Sequence, residues 1–158
     1  MFSWLDPGSI RLEDGKAIYV SEFYGSWEIP MSDIRIVGSL RHRGGMFVEH
    51  WFRILVDSEG TWCAIPQLAD GYPSFEKELV SALPGLMLPK IADFPDVYAE
   101  HVQYPIDLQG APLFTLKFDS MPEVMEWVFA PWRWNIRSLS SEVLDRLGLE
   151  KPELAGAV

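Results

Sequence analysis

Hydrophobic and polar residues alternate through the first half of the chain, which is the pattern of half-buried β-strands. Two short alternating runs flank Asp14-Gly15, a dipeptide typical of tight hairpins because both turn residues need positive φ. Further runs of this kind lie at residues 25–30, 32–40, 46–57 and 61–66. Glycines separate these runs at short intervals, as expected for antiparallel neighbours. The pattern therefore predicts a meander of antiparallel strands.

The run at residues 47–56, FVEHWFRILV, is apolar on both faces of its predicted strand. Phe52 and Ile54 share one face, whereas Trp51 and Leu55 lie on the other, because successive side chains of a strand point to opposite sides. A strand with two apolar faces is covered on both sides for part of its length. We therefore predict a central position for it in the sheet.

The hydrophobic period changes from two to 3.6 after residue 70. Residues 74–83 carry an apolar stripe of helical spacing, with Ser74 as the predicted N-cap. The members of this stripe are Phe75, Leu79, Val80 and Leu83. Further helices are predicted at residues 94–101, 119–131 and 140–148, and a further strand at residues 112–118.

Strands that come first and helices that follow predict an α+β fold. We expect about six to seven strands in an antiparallel meander, or in a partly open barrel that resembles the pleckstrin-homology fold, with helices mostly in the second half. Residues 1–149 are predicted to form a single domain, and residues 150–158 a frayed C-terminal tail.

Composition and net charge restrict the kinds of function that this chain can have. The chain has 158 residues, of which 48% are hydrophobic, and a net charge of −10. An acidic surface repels phosphate backbones and anionic membranes but attracts a basic protein. The single cysteine, Cys63, excludes an intramolecular disulfide and fits a reducing compartment. We predict a soluble cytoplasmic protein that binds neither nucleic acid nor membranes.

Candidate chemistry is sparse in this sequence. Phosphate-binding glycine motifs, the nucleophile elbow and the zinc-protease motif are absent. His42 and His50 converge only if their strands pair in register, and His101 would have to join them from the second half. The turn at residues 58–60 sets Cys63 opposite Leu55, away from His50. We predict no catalytic, metal or cofactor site; an enzyme with a dispersed carboxylate or histidine site remains an alternative.

Two segments are candidates for partner binding. Arg41 and Arg43 lie in a predicted glycine-containing loop at residues 41–45. This loop is either a solvated tip, which is the favoured interpretation, or a site for an anion or for an acidic patch on a partner or a second copy. The second segment is VFAPWRWNIRS, residues 128–138, and its candidates are Trp132, Arg133, Trp134 and Arg137. Its tryptophans either form a hydrophobic lid on the sheet, which is the favoured interpretation, or anchor a protein partner, since Trp and Arg dominate binding hot spots.

Residues 25–85 also carry a family resemblance. The stretch runs from GSWEIPMSDIRIVGSL through EHWFRILVDSEGTWCAIP to SFEKELVSALPG. It resembles small bacterial immunity proteins of polymorphic-toxin and contact-dependent competition loci. The resemblance implies a non-catalytic inhibitor that occludes the active site of a cognate, basic toxin. The alternative is an adaptor or structural domain that self-associates or binds another protein.

Overall fold

The computed structural model describes residues 6–22, 24–44, 48–86, 100–116 and 137–151. Within these ranges the chain has an α+β fold of mostly antiparallel strands in three sheets, with two α-helices. The elements are β1 (Ser9–Glu13), β2 (Lys16–Val20), β3 (Trp27–Pro30), β4 (Ile34–Gly44), β5 (Val48–Asp57), β6 (Trp62–Pro66), α1 (Tyr72–Ala82), β7 (Glu100–Tyr104), β8 (Phe114–Leu116), β9 (Arg137–Leu139) and α2 (Ser141–Leu147).

The first sheet has the strand order β1-β2-β3 and begins with the predicted hairpin. Glu13 pairs with Lys16, and the two turn residues, Asp14 and Gly15, have φ angles of 51° and 73°. Positive φ at both positions matches the right-handed twist of the flanking strands. This part of the sequence-based prediction is confirmed.

The central sheet has the order β6-β5-β4-β7 and is antiparallel throughout. Strand β5 lies inside it, as its two apolar faces predicted. Val56 pairs with Trp62 and Leu55 with Cys63, so the predicted register of the β5–β6 hairpin is also confirmed. Within the described ranges, the third sheet consists of β8 and β9. The central sheet is thus an open sheet of four strands, and the described residues form no closed barrel.

Each face of the central sheet packs against a different layer. One face, which we call the helical face, packs against the first sheet and α1 through Val37, Leu55 and Ile65. The other face, which we call the apolar face, packs against β8, β9 and the short helix α2. Its side chains Ile36, Ile54 and Val56 contact this layer, whose members include Phe114, Leu139, Val143 and Leu144. Full burial of one such aliphatic side chain contributes about 1.5–3 kcal/mol. The double coverage of β5 is confirmed.

Helix α1 begins earlier than predicted. Its N-cap is Gly71 at φ 82°, not Ser74, because Tyr72 is itself buried and extends the apolar stripe by one turn. A Cβ at position 71 would overlap the carbonyl oxygen of Ile10, so the close approach of β1 also requires glycine. Val80, predicted to belong to the stripe, is 41% exposed.

Helix α2 has the predicted boundaries. The Ser140 hydroxyl oxygen accepts a hydrogen bond from the Val143 backbone N–H at 3.2 Å, which satisfies one of the free donors at the helix start. Gly148 ends the helix at φ 69°, in the left-handed conformation common at this position.

Other predictions need correction. The described ranges contain nine strands instead of six or seven. The predicted helix at residues 94–101 is wrong at its end, since Glu100 and His101 belong to β7. The predicted loop at residues 41–45 is wrong for Arg41 and Arg43, which continue β4. The predicted helix at residues 119–131 lies outside the described residues.

Candidate functional site

The predicted Trp/Arg segment lies mostly beyond the described ranges. Trp132, Arg133 and Trp134 fall outside the described residues. Arg137 is the first residue of β9 and pairs with Leu116 of β8. The choice between a hydrophobic lid and a binding anchor therefore stays a prediction.

The second predicted segment is part of the central sheet. Arg41 pairs with Trp51, and Arg43 pairs with Glu49, in the ladder between β4 and β5. These arginines thus occupy paired strand positions and not a loop.

The three histidines lie on neighbouring strands of the central sheet. His42 pairs directly with His50, so the condition set by the sequence is met for these two. His101 pairs with Ser39, three positions before His42 along β4, so it is not in register with the other two. In the described part of the chain, no group of three or more His, Cys, Asp or Glu residues is placed to hold a metal ion.

Cys63 lies opposite Leu55 on the neighbouring strand, as predicted. Burial raises the pKa of its thiol to about 11, and the nearby charge of Asp57 adds to this shift. The thiol therefore stays protonated at neutral pH. Because the thiolate is the nucleophilic form, Cys63 is poorly suited to nucleophilic chemistry.

A pocket of about 340 Å³ opens at one end of the central sheet, and we call it the end pocket. The start of β4, the β5–β6 turn, the end of β7 and the end of α2 converge there. The residues that line it are Ile34, Arg35, Ser58, Tyr104, Pro105, Arg146 and Leu147. Most of these side chains carry a charge or a hydroxyl group.

The two arginines of the end pocket differ in their partners. Arg146 donates two hydrogen bonds to the carboxylate of Asp107, one of them 3.0 Å long between Nη2 and Oδ1. These bonds hold the pKa of Asp107 below its usual value and raise that of Arg146. Arg35 instead donates from Nη1 to the Ser32 carbonyl oxygen at 2.7 Å, and no described carboxylate forms an ion pair with it.

The end pocket therefore offers guanidinium and hydroxyl donors at an exposed surface. Small-molecule sites are concave and mostly apolar, and they enclose most of their ligand. The end pocket is polar, and Arg35, Ser58 and Arg146 on its rim are exposed. Guanidinium groups bind carboxylates through paired, charge-assisted hydrogen bonds. The arrangement suits a carboxylate side chain on a protein surface.

A second polar feature is buried on the helical face, and we call it the polar cluster: Ser39, Arg53, Tyr72, His101 and Gln103. Arg53, only 5% exposed, donates from Nε to the Tyr72 hydroxyl at 3.1 Å and from Nη1 to Gln103 Oε1. The nearest described carboxylate oxygen, Glu76 Oε2, is 3.6 Å from Nη2. Burial raises the pKa of Tyr72 to about 12, although the Arg53 charge opposes the shift.

Three atoms of the polar cluster are buried without a hydrogen-bond partner among the described residues: Ser39 Oγ, His101 Nδ1 and Gln103 Nε2. Ser39 pairs with Arg53 on one side and with His101 on the other, so the three residues form one row across β5, β4 and β7. Buried polar atoms nearly always have a partner in native proteins, so three orphans in one place mark an unusual site.

Neither feature was identified from the sequence. The one available signal for the polar cluster was Arg53 itself, a charged residue in the middle of an apolar strand. The end pocket had no such signal, because Arg35 and Arg146 look like ordinary surface arginines and lie 111 positions apart in the sequence. Only the tertiary fold brings them together.

Comparisons with protein-family models, with curated proteins and with solved structures give no match for this chain. The resemblance to immunity proteins therefore stays a prediction. None of the described helices combines the length and the apolar character that crossing a membrane requires.

Proposed function

We propose that the chain is a non-catalytic inhibitor of the immunity type, which binds a basic toxin and occludes its active site. The observation that carries the proposal is the end pocket, with the exposed guanidinium of Arg35 beside that of Arg146 on a strongly acidic protein. A polar, open pocket fits a protein side chain better than a small apolar ligand.

Long-range electrostatics favour a basic partner. A net charge of −10 raises the local concentration of cationic proteins and accelerates their association. Near the end pocket, Glu59 is exposed and Asp33 accepts a hydrogen bond from Ser58 at 2.9 Å, so acids border the pocket as well. These charges steer a basic surface toward this end of the molecule.

Short-range contacts then supply specificity. Arg146 is already paired with Asp107, so Arg35 is the group that favours one carboxylate on the otherwise basic partner and repels a basic group at that position. The acidic surface attracts basic proteins in general, whereas the pocket accepts only a protein with an acidic group at one position. Together these two requirements select a single cognate protein. Such a selection is what an inhibitor of one toxin requires.

The test uses a toxin encoded beside the gene, mixed with the purified chain. Toxin activity should fall to background at a one-to-one ratio. The association rate should fall at least about tenfold as ionic strength rises from about 0.01 M to about 1 M, because the Debye length shrinks from about 30 Å to about 3 Å. Arg35→Glu should weaken binding at least about tenfold.

The matched control is Arg11→Glu, which makes the same charge change at an exposed site on the first sheet. It should leave affinity within about threefold of the parent, because distant sites couple weakly. Equal effects of the two variants would show that the end pocket is not part of the interface. Undiminished toxin activity at saturating protein would refute the inhibitor function, and a dimer that Trp132→Ala dissociates would favour the self-associating alternative.

A further inference from the structure

The polar cluster has a surplus of hydrogen-bond donors, and its buried charge, on Arg53, has only a loose ion-pair partner in Glu76. The Arg53 guanidinium has five N–H groups and is nearly fully buried, whereas Glu76 is beyond hydrogen-bonding distance at 3.6 Å and lies partly in solvent. Burying a charge is costly unless it is paired and hydrogen-bonded. The contacts within the described protein compensate Arg53 only in part.

The orientation of Gln103 adds to this surplus. Its Oε1 accepts from Arg53, so its Nε2 must point elsewhere, and Nε2 finds no acceptor among the described residues. Flipping the amide would not remove the orphan, because the NH₂ group would then face the guanidinium donors. Gln103 is 3% exposed, so bulk water does not satisfy this donor.

The other two buried atoms without a partner, Ser39 Oγ and His101 Nδ1, belong to residues in the same cross-strand row as Arg53. Ser39 lies between Arg53 and His101 in one cross-strand row, in which directly opposed Cβ atoms are about 4.5–5.5 Å apart. Ser39 has the shortest side chain of this row. Its hydroxyl is buried and also has no partner among the described residues.

We propose that the polar cluster binds a small monovalent anion, a halide or a carboxylate group, between Arg53, Ser39 and Gln103. An anion accepts from the Ser39 hydroxyl, the Gln103 amide and the guanidinium together and neutralises the buried charge. His101 completes the rim when Nδ1 carries a proton. A bound water supplies acceptors but no charge, so the loose pair with Glu76 would remain the only described compensation of the Arg53 charge.

The direct test measures the chlorine NMR linewidth of chloride in the presence of the intact chain. The protein should broaden the line saturably. Sodium acetate should compete and narrow it, whereas sodium gluconate of equal ionic strength, whose anion is too bulky for a buried site, should not. Absence of saturable broadening, or equal narrowing by acetate and gluconate, would overturn the proposal.

Variants locate the binding site. Gln103→Glu places a carboxylate beside Arg53 and should weaken chloride binding at least about tenfold. Gln109→Glu adds the same charge at an exposed residue, and Arg35→Gln removes the open guanidinium of the end pocket; both should leave the broadening unchanged. Loss of broadening in Arg35→Gln would show surface binding only and refute the buried site. If Gln103→Glu does not fold, Ser39→Ala takes its place with the same expected loss.

Discussion

The two faces of the central sheet are built on different principles, although β5 contributes to both. On the apolar face, Ile54 and Val56 are completely buried among other hydrocarbon side chains. On the helical face, Leu55 is equally buried, but its neighbour on the same side, Arg53, brings a charge into the core. Hydrophobic burial is non-directional, whereas a buried polar group needs a specific partner at a specific place.

The comparison teaches that the helical face combines a hydrophobic core with a buried charge that does not serve stability. Replacing a buried ion pair by apolar residues is often neutral or stabilising, so a buried arginine is weak evidence for a stabilising role. The orphaned atoms around Arg53 reinforce this conclusion, because each adds a desolvation cost. The polar cluster is better explained by binding than by folding, and three measurements test the contrast.

The largest effect is expected on the apolar face. Ile54→Ala should lower the free energy of unfolding by about 2–5 kcal/mol, because it removes buried methylene groups and leaves a cavity. Urea denaturation measures this loss. Ile106→Ala, at a side chain that is 61% exposed, is the matched control and should change stability by less than about 0.5 kcal/mol. Similar losses in the two variants would contradict the packing of β5 described above.

An intermediate effect is expected on the helical face at alkaline pH. Burial raises the pKa of both Tyr19 and Tyr72 from 10.0 to about 12. The unfolded chain therefore releases these protons first, and stability that is complete below about pH 10 is lost as pH rises toward 12. The loss should reach roughly 2–3 kcal/mol for each tyrosine, since one pKa unit corresponds to about 1.36 kcal/mol.

Unfolding free energies measured from pH 9 to pH 12 check this prediction. Tyr72→Phe should flatten the decline, although it lowers stability at neutral pH because Arg53 Nε loses its acceptor. An identical slope in the variant and the parent would show that Tyr72 ionises in the folded protein as easily as in the unfolded chain.

The smallest effect has the opposite sign. Ser39→Ala, measured in gluconate buffer to exclude small anions, should raise the free energy of unfolding by up to about 1 kcal/mol, since an orphaned buried hydroxyl costs about 1–3 kcal/mol. A truncation on the apolar face is thus expected to destabilise, and one in the polar cluster to stabilise. A loss above about 1 kcal/mol in Ser39→Ala would mean that its hydroxyl has a partner in the protein.

The sequence predicted local features well. The Asp14-Gly15 hairpin, the register that pairs Leu55 with Cys63, and the helix at residues 140–148 all follow from residues close together in the chain. The central position of β5 was also predictable, because a strand that is apolar on both sides must be covered twice. These predictions depend on local turn chemistry and on burial pattern, which a single sequence displays directly.

The features that were missed depend on distant contacts. The first two residues of β7 were predicted as the end of a helix, and the pairing of this strand with β4 has no local signature. That pairing brings Gln103 to Arg53 across 50 positions of the chain, so the polar cluster was invisible before the fold was known. The start of α1 was misplaced for a similar reason, since contact with Ile10 selects Gly71 over the better capping residue Ser74.

The place of β7 in the sheet also has a consequence for folding on the ribosome. Strands β4, β5 and β6 follow one another closely along the chain and can pair once residue 66 has left the ribosome, because local contacts close at low entropic cost. Until residues 100–104 follow, β4 is an unprotected edge, with backbone donors and acceptors available to other chains. The nascent chain therefore passes through an interval in which it is prone to aggregation, and translation speed over residues 67–104 sets the length of that interval.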